Sequence, residues 1–290
     1  MSLQGNYTAE IVAYARARAS LYRDPSIRNS DYLSRQFLNR MLTIALYPGL
    51  RSIAKAIYDL LTPGIYLFLH LRGRHFDYTF EQELREGIEQ LVIVGSGMDS
   101  RPYRYRDRLK GVRVFECDHP ATARLKQERL QRWGGDTSHV TYVNVDLIKE
   151  SLAQKLSEAG FDKNAKSLIL CEGIFYYLAE DVVVEKILEV VARTRTGTSL
   201  LFDYVLRDVY VSPDGHFGAR ELVRYLERRK EPIRSTIDYD EIETFLRPYG
   251  LELLSNDKAT SLVDKYLRRR NGRLLGRICA AYGLAHARRI

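Results

Sequence analysis

Residues 91–205 predict an α/β protein built on an open, mostly parallel sheet, and three observations carry that reading. Leu91 to Val94 form a short unbroken apolar run, as a strand buried on both faces requires, and it ends at Gly95-Ser96-Gly97. VRVFECD, residues 112–118, is a second such run, ending in acids. Further strand-like runs at 139–146, 167–173 and 198–205 are separated by helical patterns at 120–132, 149–159 and 180–193. That alternation is the signature of strands joined by crossover helices.

The rest of the chain divides around this block into one domain over 1–290, with a helical cap at 1–90 and a sheet half at 91–206. Residues 8–23 carry Ile11, Val12, Ala15 and Ala19 near helical spacing, and Asp24-Pro25 stops them. Amphipathic patterns at 31–46 and 50–61 break at Pro48-Gly49 and Pro63-Gly64, and a fourth helical stretch covers 65–89. Residues 207–235 read as an insertion, charged and aromatic, with Pro213, Gly215, Gly218 and Pro232. Within 236–290 the expected elements are a helix at 238–248, a strand from Leu251 to Ser255, a basic helix near 261–271 and a last strand at 278–287.

Composition sets the class. The chain has 290 residues, 45% apolar and 28% charged, which permits a sizeable core. Cys117, Cys171 and Cys279 lie far apart in apolar contexts without metal spacing, so we expect buried thiols, a reducing compartment and no metal site. No apolar stretch approaches the ~18 residues of a membrane span, and no signal-peptide core is evident; the expected location is cytoplasmic. The net charge of +8 is concentrated at one end: residues 258–290 hold nine Lys or Arg against the single acid Asp264. Charge runs are usually solvated faces, and with only Tyr266 and Tyr282 as aromatic partners this one offers no stacking platform for nucleic acid.

The glycine turn narrows the ligand. A dinucleotide fingerprint needs a third glycine at position 100, which is Ser100. A pyrophosphate gains most from the full motif, whereas a nucleoside ligand without phosphate needs only the tight turn. S-adenosylmethionine is such a ligand, and a nicotinamide cofactor is disfavoured. Asp118 follows Gly97 by 21 residues, close to the spacing of a ribose-binding carboxylate. It also precedes His119-Pro120, where it could be a strand-end acid ahead of a helix.

GSGMDSR (95–101), ECDHP (116–120) and the following Lys126 resemble the leucine carboxyl methyltransferase family. Tyr22-Arg23-Asp24-Pro25, Arg74-His75-Phe76-Asp77 and Cys171-Glu172-Gly173 through Tyr177-Leu178 resemble that family's other segments, in its order. The resemblance covers 20–205 and fades after 206. It implies a class I, Rossmann-type methyltransferase sheet of seven strands with an antiparallel last strand inserted beside the fifth. It implies S-adenosyl-L-methionine as cofactor, held by Arg74 at the carboxylate, Gly95 and Gly97 at the turn, Asp118 at the ribose, Asp146 and Leu147 at the adenine and Glu172 at the ammonium. Tyr177 would lie near the methyl group. Asp146 could equally cap the turn after its strand, and Glu172 could be a structural acid. Asp99 and Arg101 are expected to form a scaffold pair.

The expected activity is O-methylation of a small molecule, most readily at a carboxyl group, which is ionised at neutral pH and needs no general base. A hydroxyl acceptor would want one, and His75, His119 and His216 are the candidates. A nucleic-acid methyltransferase and a silent cofactor-binding protein are the alternatives. The acceptor pocket is expected between the cap and the insertion, from Tyr22, Arg23, Tyr204, Arg207, Tyr210, Phe217 and Arg220, favouring an acidic or aromatic acceptor. Oligomeric state is not legible.

Overall fold

Every buried apolar run expected as a strand before residue 206 is one. A computed structural model describes residues 3–177, 181–229 and 231–290. The strands are β1 (Gln90–Val94), β2 (Arg113–Asp118), β3 (Val140–Asn144), β4 (Ser167–Cys171), β5 (Ser199–Val205), β6 (Leu251–Lys258) and β7 (Tyr282–Arg289). They form one sheet in the order β3-β2-β1-β4-β5-β7-β6. β1 to β5 are mutually parallel, and β7 inserts antiparallel between β5 and β6. β1, β4 and β5 are buried along their whole length, which is why they read as unbroken apolar runs.

Helices α1 (Leu3–Ser20), α2 (Arg40–Ile44), α3 (Leu50–Leu61) and α4 (Ile65–Arg85) make the cap. α5 (Arg101–Arg104), α6 (Pro120–Trp133), α7 (Leu152–Glu158) and α8 (Asp181–Ala192) follow β1 to β4. Ser151 caps α7, its hydroxyl accepting from the Gln154 amide at 3.3 Å. The insertion holds α9 (Arg207–Val211) and α10 (Ala219–Arg228); α11 (Ile242–Leu246) and α12 (Val263–Leu267) complete the set. The expected start of α8 at Glu180, and Leu178 of the Tyr-Leu pair, lie outside the described residues.

Three C-terminal and cap expectations are corrected. The single helix expected at 31–46 is a 3-10 turn, Ser34–Phe37, then an extended Leu38. Asn39 restarts the chain as α2 by accepting from the Leu42 amide at 2.9 Å. The basic helix at 261–271 ends at Leu267, because Arg268 bridges to Leu274 across an Asn271-Gly272 turn. The last strand starts four residues late, at Tyr282: Ala280 and Ala281 instead pair with Phe217 and Leu206 beside the insertion. The basic end is thereby dispersed, with Arg288 held by Glu83 and Glu86, Lys265 over the Tyr78 ring and Arg277 over Phe217. All three cysteines are buried and free.

α4 ties the cap to the sheet. Phe68 stacks flat on Tyr282 at 3.9 Å between centroids, and the buried Glu83 meets His286 at 3.0 Å and Arg288 at 2.9 Å. Phe68 and Glu83 lie about 22 Å apart along a helix, and Tyr282 and Arg288 about 20 Å along a strand, so helix and strand run side by side. Phe68 is fully buried. Phe68→Ala should therefore cost about 3–5 kcal/mol, measured as a lower urea midpoint at an unchanged slope.

Candidate active site

The carboxyl ends of β1, β2 and β4 open into a cavity of about 470 Å³, walled on the other side by α1, α3, α4 and α10. Its size is that of a small-molecule site. Gly95, Ser96 and Gly97 form one wall. Gly95 has φ +66°, a left-handed conformation that favours glycine, and a Cβ there would press on the Ile174 Cδ1. Gly97 has φ +46° and passes under Ala9 of α1. The Gly97 amide donates to Asp118 Oδ2 at 2.5 Å and the His119 amide to Oδ1 at 2.7 Å. Burial raises the Asp118 pKa above its ordinary value, opposed by these two amide bonds. The acid at the end of β2 thus fixes the glycine turn and faces the cavity at once.

Glu172 also lines the cavity, but it is not a free carboxylate. Its Oε2 accepts from Arg101 at 2.8 Å and its Oε1 from Arg72 Nε at 3.1 Å, while Arg16 stands 4.0 Å away. Burial would raise its pKa, yet Arg101, Arg72 and Arg16 together hold it below the ordinary range. Arg72 continues to Asp203 at 2.8 Å and to the Tyr176 hydroxyl at 3.1 Å; the Gly173 amide donates to Asp203 at 2.6 Å. Arg101, wholly buried, also reaches Asp99 at 2.5 Å and Asp77 at 2.8 Å. The expected Asp99–Arg101 pair is therefore one link in a network joining α1, α4, β5 and the loops after β1 and β4.

Several expected site residues lie elsewhere. Arg74 does not line the cavity: its guanidinium donates to the Ser26 carbonyl at 2.7 Å and to the Tyr266 carbonyl, and it rests on the Tyr266 ring. Arg72 and Arg74 are two residues apart, about 200° around a helix, so when one faces in the other faces out. Arg16, Arg72 and Arg234 are the guanidiniums that line the cavity. Arg16 donates to the Met98 carbonyl at 2.6 Å, and its buried Nε is ion-paired with Asp31 Oδ2 at 3.3 Å, outside hydrogen-bond geometry. Asp146 accepts from the Ile148 amide at 3.1 Å, closing a turn; Ile148, not Asp146 or Leu147, reaches the wall. Lys126 is spent on the buried Glu116, at 2.6 Å.

Tyr177 and Tyr176 both line the cavity, ring centroids 4.6 Å apart, in a turn ahead of α8 and not on a helix. Burial raises both phenol pKa values, so each is held as a hydroxyl. The rest of the wall includes Tyr58, Thr62, Leu222, Tyr225, Leu226 and Tyr282, with Glu231 and Arg234. None of the seven residues expected for an acceptor pocket is there. Tyr204 is buried with its hydroxyl on Asn256 at 2.8 Å, Tyr22 stacks on His70, Arg207 faces Glu241 and Arg220 pairs with Asp214. Arg23 and Tyr210 are exposed, and Phe217 lies under Arg277. Nor does a histidine line the cavity among the described residues: His75 sits against Tyr266, His119 accepts from the Ala121 amide and His216 faces Asp208. No group of three metal-ligating side chains occurs among the described residues.

A sheet of this order with an inserted antiparallel strand, opening at its carboxyl ends onto a glycine turn and an acid, defines a class I methyltransferase fold. A solved Streptomyces avermitilis protein of the DUF574 family shares it, at TM-score 0.64 and 17% identity over 98% of this chain and 97% of that one. So does a Thermobifida fusca protein described as a methyltransferase, at TM-score 0.57 and 14% identity over 84% and 89%. The sequence pattern of the leucine carboxyl methyltransferase family matches residues 9–192, and the chain belongs to that family. A Bacillus subtilis protein named as an S-adenosyl-L-methionine-dependent methyltransferase is 25% identical over 93% of this chain and 94% of its own length. One from Mycobacterium marinum with the same designation is 31% identical over 69% and 65%. The chain is an S-adenosyl-L-methionine-dependent methyltransferase. The glycine turn, the Asp118 carboxylate and Arg16 facing one cavity suit that cofactor.

The network sets an acid limit. Burial would raise the Asp99 pKa, but Arg101, Arg16 and Lys126 hold it at about 2. Its unfolded value is about 3.9, so its contribution is complete above about pH 4 and is lost as pH falls towards 2. Asp99→Asn should flatten that part of the stability curve, read from urea midpoints between about pH 2 and 5.

Proposed function

We propose that the chain methylates the carboxyl group of a small, largely apolar acid. The observation that carries this reading is the acceptor side of the cavity. Among the described residues it holds no histidine, its buried tyrosines keep their protons, and the Arg234 guanidinium at its edge pairs with no carboxylate. A carboxylate is already ionised at neutral pH, so an anchor and an apolar wall suffice. Arg234 is suited to orient the acid through a guanidinium fork, and Leu222, Tyr225 and Leu226 to cover its apolar part.

When bound, S-adenosyl-L-methionine supplies a methyl group already activated by its sulfonium. Asp118 is suited to take the ribose hydroxyls, with Gly95 and Gly97 letting backbone approach and Ile148 covering the adenine from the turn that Asp146 and Leu147 build. Arg16, in place of Arg74, is suited to the methionine carboxylate, and Glu172 to the ammonium. Tyr177 offers a hydroxyl donor near the reacting centre. Positioning of the two reactants then does most of the catalysis.

A second reading rests on Glu231, which lines the same wall and accepts from the Thr8 hydroxyl at 2.5 Å. A carboxylate there could take the proton of a hydroxyl acceptor. Product chemistry separates the two: label transferred from the cofactor's methyl group should be released as methanol by mild alkali if it sits on an ester, and retained if it sits on an ether. The carboxyl reading also requires a rate with no basic enzyme group titrating between about pH 6 and 8, and most of the turnover surviving in Glu231→Gln. A loss of roughly a thousandfold in that variant, with cofactor affinity intact, would favour the hydroxyl.

Cofactor roles are testable before any acceptor is known. Titration calorimetry with S-adenosylhomocysteine should show Asp118→Ala weaker by about 1–3 kcal/mol. Arg16→Met should weaken binding similarly while Arg74→Met leaves it near wild type. The reverse order would restore Arg74 to the site.

A further inference from the structure

Two buried hydroxyls in the cavity wall carry a proton for which the described residues provide no acceptor. Tyr176 and Tyr282 both line the cavity, and their rings meet edge to face with centroids 5.5 Å apart. Topology places Tyr282. Because β7 runs antiparallel, its first residue, and not its last, lies beside Val205 at the carboxyl ends of the parallel strands, where the site opens. The flat stack on Phe68 then fixes the ring. A buried tyrosine normally finds a partner for its hydroxyl. Among the described residues the Tyr282 hydroxyl has no hydrogen bond, and it is not one of the unpartnered polar atoms sealed inside the protein, so it reaches the cavity.

Tyr176 is oriented from behind. Arg72 Nη1 donates to its oxygen at 3.1 Å, and a guanidinium cannot accept in return, so the Tyr176 proton turns elsewhere. The neighbouring Asp203 takes its hydrogen bonds from Arg72 and the Gly173 amide. Accepting from a cation makes Tyr176 the better donor. Arg72 also holds Glu172 at 3.1 Å, so this hydroxyl stands one guanidinium away from the carboxylate suited to the cofactor's ammonium. Burial raises both phenol pKa values, and both protons stay in place.

We propose that Tyr176 and Tyr282 hold one oxygen of the acceptor's carboxylate, and that Tyr282 selects an acid over an alcohol. This rests on the carboxyl reading above and adds the residues that recognise the group. A carboxylate offers about four lone-pair sites and no proton, so one oxygen satisfies both phenols while the other stays free. An alcohol offers half as many sites and must also turn its single oxygen to the methyl group, which leaves a buried donor unmatched. The lone pair of the free carboxylate oxygen forms the bond to the methyl carbon, the carbon–sulfur pair returns to sulfur, and no proton has to be removed. The Arg234 amide donates to the Tyr176 carbonyl at 2.9 Å, which brings the segment of the proposed guanidinium anchor beside the same tyrosine turn. Tyr282 lies beyond residues 9–192, where the family pattern matches, so the resemblance does not supply this contact.

Replacement by phenylalanine keeps each ring, and at Tyr282 the stack on Phe68. Wild type, Tyr282→Phe and Tyr176→Phe, each saturated with S-adenosylhomocysteine, should be titrated calorimetrically with octanoate, cinnamate and naphthoate and with the primary alcohol of each. Wild type should bind at least one acid more tightly than its alcohol, by a ratio that is constant between about pH 6 and 8. Tyr282→Phe should cut that ratio roughly tenfold or more, with S-adenosylhomocysteine affinity unchanged. Tyr176→Phe should lower it too, and decides the matter if Tyr282→Phe does not fold. The proposal is overturned if wild type binds none of the acids more tightly than its alcohol, or if a folded Tyr282→Phe keeps the wild-type ratio. It is equally overturned if Tyr282→Phe weakens S-adenosylhomocysteine instead, which would give the hydroxyl to the cofactor. An unaltered ratio with an alkali-labile methylated product would sink this contact and leave the carboxyl reading standing; an alkali-stable methyl ether would sink both.

Discussion

Arg101 and Arg72, clamping Glu172 between them, are the constraint on which the rest of the site depends. Two fully buried guanidiniums are tolerable only because carboxylates from separate parts of the chain meet them, and removing one partner of such a pair costs about 3–5 kcal/mol. Those partners come from α4, β5 and the loops after β1 and β4, so satisfying the charges also fixes how the cap sits on the sheet. The backbone is drawn into the same arrangement: Asp203 holds the Gly173 amide, and Arg16 holds the Met98 carbonyl. The cavity is shaped by electrostatics as much as by packing.

This division explains what could be read in the sequence. The sheet was legible because strands buried on both faces have little choice of residue, and Leu91 to Val94 or Ser199 to Val205 announce themselves. Gly95, Gly97 and Asp118 were legible as a group because their chemistry is local to the strand ends. Arg74 lies outside the cavity because a segment's match to a family does not fix which side of a helix each residue faces, and Arg72 holds the inward position. Arg16 left a signal that went unused: it follows Thr8 and Val12 at intervals of four, in a stripe where a charge needs a reason.

The acceptor side was the least legible part. Tyr210, Phe217 and Arg220 have a suitable composition, but the wall is made by Leu222, Tyr225 and Leu226, one face of α10, and by Glu231 and Arg234 after it. Which face of an amphipathic helix meets a cavity depends on tertiary placement that no local pattern encodes. The basic tail taught the same lesson from the other direction. Of the nine cations near one end of the chain, Arg288, Lys265, Arg277 and Arg289 take separate contacts with Glu83, Tyr78, Phe217 and backbone carbonyls, because strand pairing and a turn carried them apart.

α4 carries Arg72 at the cavity, Asp77 against the buried Arg101 and Glu83 against β7, on one rod of 21 residues. Whatever fills the cavity bears on the element that secures the inserted strand of the sheet. Occupancy and global melting are therefore linked, and a tight ligand should raise the melting temperature by mass action. Ligands for this site could accordingly be sought by heat alone, in a library screen that requires neither turnover nor an identified acceptor.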